Sequence, residues 1–104
     1  MKRKDFIIKQ LYYSSYDNSW HADENYTYKV LGVMVLSDNA IGVQLIRKKR
    51  NAALPFIFRF TNKTNGIWRI GKKDYDIRSD EVLYEFYKDV QNGLTENVLE
   101  TLNG

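Results

Sequence analysis

The sequence contains no cysteine among its 104 residues. This absence excludes a disulfide framework, thiolate metal ligands and a thiol nucleophile, and it agrees with a reducing compartment. One proline and six glycines leave no room for a flexible linker, and a hydrophobic content of 43% is high enough for a packed core. We therefore expect a single domain that spans residues 1–104.

Long apolar segments and an export signal are also lacking. The longest apolar run, Val30–Leu36, is too short to cross a bilayer. The apolar stretch that follows the basic start of the chain ends at Lys9, well short of the core of a signal peptide. These observations predict a soluble, cytoplasmic protein that does not partner a membrane.

The common catalytic motifs do not occur. There is no nucleophile elbow, no glycine-rich phosphate loop and no zinc-protease helix motif. His21, the only histidine, is followed by Asp23 and Glu24. One histidine without cysteines falls short of the three spaced ligands of a catalytic zinc site. We expect a protein that is not an enzyme, with no catalytic residue, no metal and no cofactor.

The first three quarters of the chain have the composition of β-strands. Strand-forming residues bounded by turn formers predict strands over 6–13, 26–36, 40–46, 54–60 and 67–70, with a brief one over 75–77. Because Val30–Leu36 is apolar at successive positions, we expect a central strand that is covered on both faces. Pro55 indicates an edge strand or a bulge, and Asn65-Gly66 is the strongest hairpin signal of the chain.

The periodicity changes after residue 78. Ser79 is a suitable helix cap, and an apolar stripe follows at Val82, Leu83, Phe86, Tyr87 and Val90. Gly93 predicts the end of this helix, and Thr95 then begins a short terminal helix. The fold class is therefore predicted to be α+β and β-rich. We expect an antiparallel twisted sheet or small open barrel of about five strands over 1–77, covered by two helices over 79–103.

Charge is divided unevenly along the chain. Residues 1–73 carry 14 Lys and Arg against 5 Asp and Glu, whereas residues 74–104 carry 2 against 8. The wet face of the helix accounts for the acidic part. For the basic part, the leading hypothesis is contact with RNA or single-stranded nucleic acid through a basic, aromatic sheet surface. The proposed phosphate-binding residues are Arg47, Lys48, Lys49, Arg50, Arg59, Lys72 and Lys73, and Trp68 is a proposed stacking ring together with Trp20. The alternative is a solvated basic turn that discourages aggregation.

Aromatic residues are concentrated between positions 12 and 28. Tyrosine and tryptophan are enriched at binding hot spots, but tyrosine is also a good strand former. The alternative hypothesis is therefore a protein-interaction module, a small regulator or inhibitor, which uses this segment or the acidic C-terminal helix. Its proposed partner-binding residues are Tyr12, Tyr16, Trp20 and Tyr26. We expect a monomer or a weak homodimer, and the composition leaves open whether the partner is nucleic acid or protein.

Overall fold

The computed structural model describes residues 5–37, 39–48, 54–61 and 66–103, with side chains as far as Glu96. This part of the chain forms six strands followed by one helix. The elements are β1 (Ile7–Ser14), β2 (Ser19–Ser37), β3 (Ala40–Arg47), β4 (Phe56–Thr61), β5 (Ile67–Ile70), β6 (Lys73–Asp76) and α1 (Asp80–Asn103). Proposed sites at Lys49 and Arg50 lie outside the described residues.

The strands form one antiparallel sheet in the order β4-β3-β2-β1-β5-β6. The predicted α+β, β-rich class is confirmed, and Pro55 directly precedes an edge strand, where its missing amide donor does no harm. The prediction from Asn65-Gly66 is wrong, because β4 and β5 do not form a hairpin. Strand β5 instead pairs with β1 and β6, on the other side of the sheet from β4.

The sheet curls strongly, and aromatic rings fill its concave side. The ring centroid of Trp68 on β5 lies 5.6 Å from Phe58 and 4.8 Å from Phe60, although three strands separate β4 from β5 in the sheet. The ring centroid of Phe86 on α1 lies 5.1 Å from that of Phe60 on β4 and 5.4 Å from that of Tyr75 on β6. The helix therefore lies between the two edge strands, whose described residues do not pair with each other, so that the sheet stays open.

The predicted start and apolar stripe of α1 are confirmed. The carbonyl of Ser79 accepts the amide of Leu83 at 2.9 Å, and Asp80 and Glu81 occupy the first turn, where the helix dipole favours acids. Leu83, Phe86 and Val90 are buried in the core. In globular proteins most of the stability of a helix comes from burial of such an apolar stripe rather than from intrinsic helix propensity.

The prediction of two helices is wrong, because α1 runs without a break through Gly93 and Thr95. Thr95 does not cap a second helix; its hydroxyl donates to the carbonyl of Gln91 at 3.0 Å, one turn earlier. Gly93 is required for another reason. The ring of Phe6 packs so closely on this position that a Cβ atom there would overlap it.

A polar cluster fixes the helix against β6. The Tyr75 hydroxyl donates to Asp89 Oδ2 at 2.6 Å, and the Lys73 ammonium pairs with Glu85 and, at 3.7 Å, with Asp89. Burial is the main cause that raises the pKa of Tyr75, and the bond to the Asp89 carboxylate raises it further. The cluster uses carboxylates of the acidic helix to position it on the basic sheet.

The opposite, convex face of the sheet has no helix on it in the described part of the chain. Strand β2 is central as predicted, but Met34 and Leu36 are each 44% exposed, so the expectation of cover on both faces is wrong. A single helix can cover only one face. On the convex face Leu36 and Ile57 instead pack over Gly42, where a Cβ would lie 3.1 Å from Ile57 Cγ2.

Candidate functional site

The hairpin of β1 and β2 extends beyond the rest of the sheet. Residues 11–14 pair with residues 19–22, whereas β5 pairs only with Ile8–Gln10 and β3 begins to pair with β2 at Tyr28. The outer part of the hairpin is therefore a two-stranded ribbon without a neighbouring strand among the described residues. Leu11 at its inner end is buried, whereas side chains farther out are exposed on both faces, and we call this ribbon, residues 11–22, the distal hairpin.

A bulge separates the distal hairpin from the sheet. Lys9 pairs with Thr27, but Leu11 pairs with Ala22, so the residues from Asp23 to Tyr26 have only Gln10 opposite them. The amide of Asn25 donates to Asp23 Oδ1 at 3.0 Å, which closes a local turn within the bulge. Bulges bend a strand and redirect its side chains, and they recur beside functional sites.

The distal hairpin displays paired aromatic rings on both faces. Tyr13 and Trp20 are cross-strand partners whose rings lie 5.5 Å apart in an edge-to-face arrangement. On the other face the rings of Tyr12 and His21 lie 5.9 Å apart. Tyr12 is 49% exposed, Tyr13 51% and Trp20 39%, and Tyr16 in the turn is fully exposed. Ring pairs of this kind hold one another in place while their outer edges face solvent.

Short-range hydrogen bonds fix the turn. Asn18 adopts a left-handed backbone conformation with φ of 55° and accepts the Tyr13 hydroxyl at 3.2 Å. The Ser19 hydroxyl donates to Asp17 Oδ1 at 2.8 Å. This bond and the contact with His21 lower the pKa of Asp17. The turn thus presents Tyr16 from a backbone that its own side chains hold.

Asp17, Ser19 and His21 bring together the residue types of a hydrolase triad but not its geometry. His21 Nε2 lies 2.8 Å from Asp17 Oδ2 and 2.9 Å from Ser19 Oγ. A triad needs the carboxylate on one ring nitrogen and the nucleophile on the other. Here both partners meet the same nitrogen, so the cluster stabilises the turn and does not activate Ser19. Among the described residues no group of three potential ligands is placed to hold a metal ion.

The predicted phosphate-binding residues do not share one face. Arg59 pairs with Gly42 and therefore points to the convex side, whereas Lys73 meets the carboxylates of α1 on the concave side. Lys72 lies exposed in the turn between β5 and β6. Lys48 pairs with Asp5 at 3.1 Å, and the Arg47 guanidinium lies 5.2 Å from the ring centroid of Tyr26.

Trp68 cannot act as the predicted stacking ring, because it is fully buried among the rings of the core. The alternation of β5 turns its side chain to the concave side together with Tyr75 of β6, its cross-strand neighbour. Trp20 keeps an exposed ring. Of the partner-binding candidates, Tyr12, Tyr16 and Trp20 lie together on the distal hairpin. Tyr26 lies at its base and is 40% exposed.

Sequence reasoning missed two surface features. The first is the convex apolar patch of Met34, Leu36 and Ile57. The second is a cavity of about 230 Å³ between the β2–β3 end of the sheet and the start of α1, with Tyr84 and Tyr87 in its wall. The signal for the patch was available in the sequence, since one amphipathic helix cannot cover both faces of the apolar run at 30–36. No comparable signal marks the cavity.

Within the part of the chain that the structure describes, no helix is long and apolar enough to cross a membrane. Comparisons with protein-family models, with curated proteins and with solved structures find no match to this chain. The functional conclusion therefore rests on the geometry and charge of the distal hairpin and its surroundings.

Proposed function

We propose that this protein is a non-enzymatic interaction module that binds another protein through its distal hairpin. The observation that carries the proposal is the exposure of Tyr12, Tyr13, Tyr16 and Trp20 on a ribbon that no other described strand flanks. Large rings with few rotatable bonds give contact area at low entropic cost, and tryptophan and tyrosine dominate binding hot spots. A folded domain gains no core packing from rings placed at such a position.

Charge favours a protein partner over nucleic acid. Between Lys9 and Lys29 the chain has no lysine or arginine, and it carries the three carboxylates of Asp17, Asp23 and Glu24. Phosphates would therefore meet repulsion at the very aromatics that could stack on bases. The basic residues lie elsewhere, and several are paired with carboxylates. Contact with RNA or single-stranded nucleic acid stays a prediction, now without Trp68.

The test places a photo-crosslinking phenylalanine analogue at position 16 of the full chain. A second chain carries the analogue at position 84, where Tyr84 is 61% exposed on α1 and serves as the control. The protein captured at position 16 is then produced in pure form, and its dissociation constant is measured by calorimetry.

We expect Trp20→Ala to weaken that complex by about 30-fold, the size of a hot spot of about 2 kcal/mol. Tyr84→Ala should leave the dissociation constant unchanged. Capture of RNA at position 16 would contradict the proposal, as would a captured protein whose affinity is the same for wild type and Trp20→Ala.

A further inference from the structure

Several tyrosines outside the distal hairpin have a cation of the chain itself close to the ring. The Arg47 guanidinium lies 5.2 Å from the ring centroid of Tyr26, and the Lys88 ammonium lies 5.3 Å from that of Tyr84. The Lys73 ammonium lies 5.1 Å from the ring centroid of Tyr75. The negative face of an aromatic ring attracts a cation at such distances. Cation–ring contacts of this kind therefore recur within the protein, at two exposed rings and at the buried ring of Tyr75.

The rings of the distal hairpin differ from these three tyrosines. Among the described residues, no lysine or arginine lies over the ring of Tyr12, Tyr13, Tyr16 or Trp20. The segment also has no cation of its own, since the sequence has 16 Lys and Arg in total but none between Lys9 and Lys29. These four rings are therefore exposed and, within the described ranges, without a cation over them.

Carboxylates flank these rings. Asp17 is held in the turn by Ser19 and His21, and Asp23 accepts the Asn25 amide with one oxygen. Glu24 is exposed beside Asp23 in the bulge at the base of the distal hairpin. Aromatic faces and carboxylates thus occur together in one segment, where both would attract the same kind of side chain.

From this arrangement we infer that the protein partner presents arginine side chains to the distal hairpin; the inference rests on the proposed function. Arginine fits better than lysine because its planar guanidinium stacks on aromatic rings and bonds carboxylates through two N–H groups at once. Its weaker hydration also makes it easier to transfer into an interface. Charge complementarity of this kind sets both partner choice and the rate of encounter.

The probe is a fluorescein-labelled peptide of repeated Gly-Arg-Ser units, whose binding is measured by fluorescence anisotropy. A peptide with citrulline in place of arginine keeps the shape and hydrogen-bonding groups but removes the charge. The test variant is Asp23→Asn/Glu24→Gln. Its matched control is Glu81→Gln/Glu96→Gln, which makes the same change of charge at exposed positions of α1.

We expect the arginine peptide to bind more tightly than the citrulline peptide. The Asp23→Asn/Glu24→Gln variant should bind it about fivefold more weakly, as expected for two partly solvated carboxylates, and the α1 control should match wild type. Equal binding of both peptides would overturn the inference, and so would equal losses in the two variants. Tighter binding of a single-stranded oligonucleotide than of the peptide would do the same.

Two further results separate this inference from the proposed function. If the captured protein depends on Trp20 but is indifferent to Asp23→Asn/Glu24→Gln, the distal hairpin is an interface and the arginine inference fails. If sedimentation shows a homodimer that dissociates in this variant, the occupant is a second copy of the chain, and the inference of a separate partner is overturned. Failure of the Trp20→Ala test would remove both proposals.

Discussion

Replacing Gly93 by alanine has two opposing effects on the free energy of unfolding, one through helix propensity and one through side-chain packing. Alanine in a helix interior is more favourable than glycine by about 1 kcal/mol. The added methyl group, however, would overlap the ring of Phe6. Phe6 cannot move aside freely, because its carbonyl accepts the Val30 amide at 2.8 Å and its half-buried ring packs against the core. Overpacking of this kind typically costs about 1–3 kcal/mol. We therefore expect Gly93→Ala to lower the free energy of unfolding by about 1 kcal/mol net.

A double-mutant cycle in urea, followed by circular dichroism, separates the two effects. In a Phe6→Ala background the overlap is gone, so Gly93→Ala should raise the free energy of unfolding by up to about 1 kcal/mol. The sign of the Gly93→Ala effect thus depends on the residue at position 6. The reasoning is refuted if Gly93→Ala stabilises the wild-type chain and the Phe6→Ala chain by the same amount.

Two other predictions concern the core and the polar cluster on α1. Phe60→Ala removes a fully buried ring that contacts Phe58, Trp68 and Phe86, and should lower the free energy of unfolding by about 3–5 kcal/mol. Phe56→Ala truncates a ring that is 39% exposed on the same strand and should lower the free energy of unfolding clearly less in the same urea titration. Equal losses in the two variants would contradict the assigned core. The pKa of Tyr75 is raised above its ordinary value of 10.0 in the folded protein. The protonated Tyr75 hydroxyl therefore contributes fully to stability below pH 10, and this contribution is lost as the pH rises above 10. Wild type should therefore lose stability above pH 10 more steeply than Tyr75→Phe, and parallel curves from thermal unfolding would show that Tyr75 does not titrate as described.

Periodicity was sufficient to predict most elements of the fold. The shared face of Phe56, Phe58 and Phe60 on β4, and the stripe of Leu83, Phe86 and Val90 on α1, follow directly from alternation and from helical spacing. What local pattern could not predict depends on contacts that are distant in sequence. Gly93 reads as a stop signal until the ring of Phe6, 87 positions earlier in the chain, lies against it.

The order of the strands in the sheet could not be predicted either, because it also depends on contacts between residues that are distant in sequence. Asn65-Gly66 is a sound local hairpin signal, yet β5 pairs with β1 because the curled sheet places Trp68 among the rings of β4 and α1. The same burial removes Trp68 from the candidate site.

The aromatic candidates of the 12–28 segment were identifiable, because large aromatic side chains are concentrated there in the sequence. The sequence also shows that no Lys or Arg lies between Lys9 and Lys29. The exposure of these rings, and the lack of a cation over them among the described residues, depend on the three-dimensional structure.

The two tryptophans offer the most direct test of the distal hairpin as the binding surface. Each gives one indole N–H signal in a nitrogen–proton correlation spectrum, and the two signals report on opposite environments, because Trp20 is 39% exposed and Trp68 is fully buried. The protein captured at position 16 is titrated into the labelled chain. We predict that the Trp20 indole signal shifts or broadens while the Trp68 signal stays in place. An unmoved Trp20 signal, with changes confined to backbone amides around Arg59 and Lys72, would contradict the account.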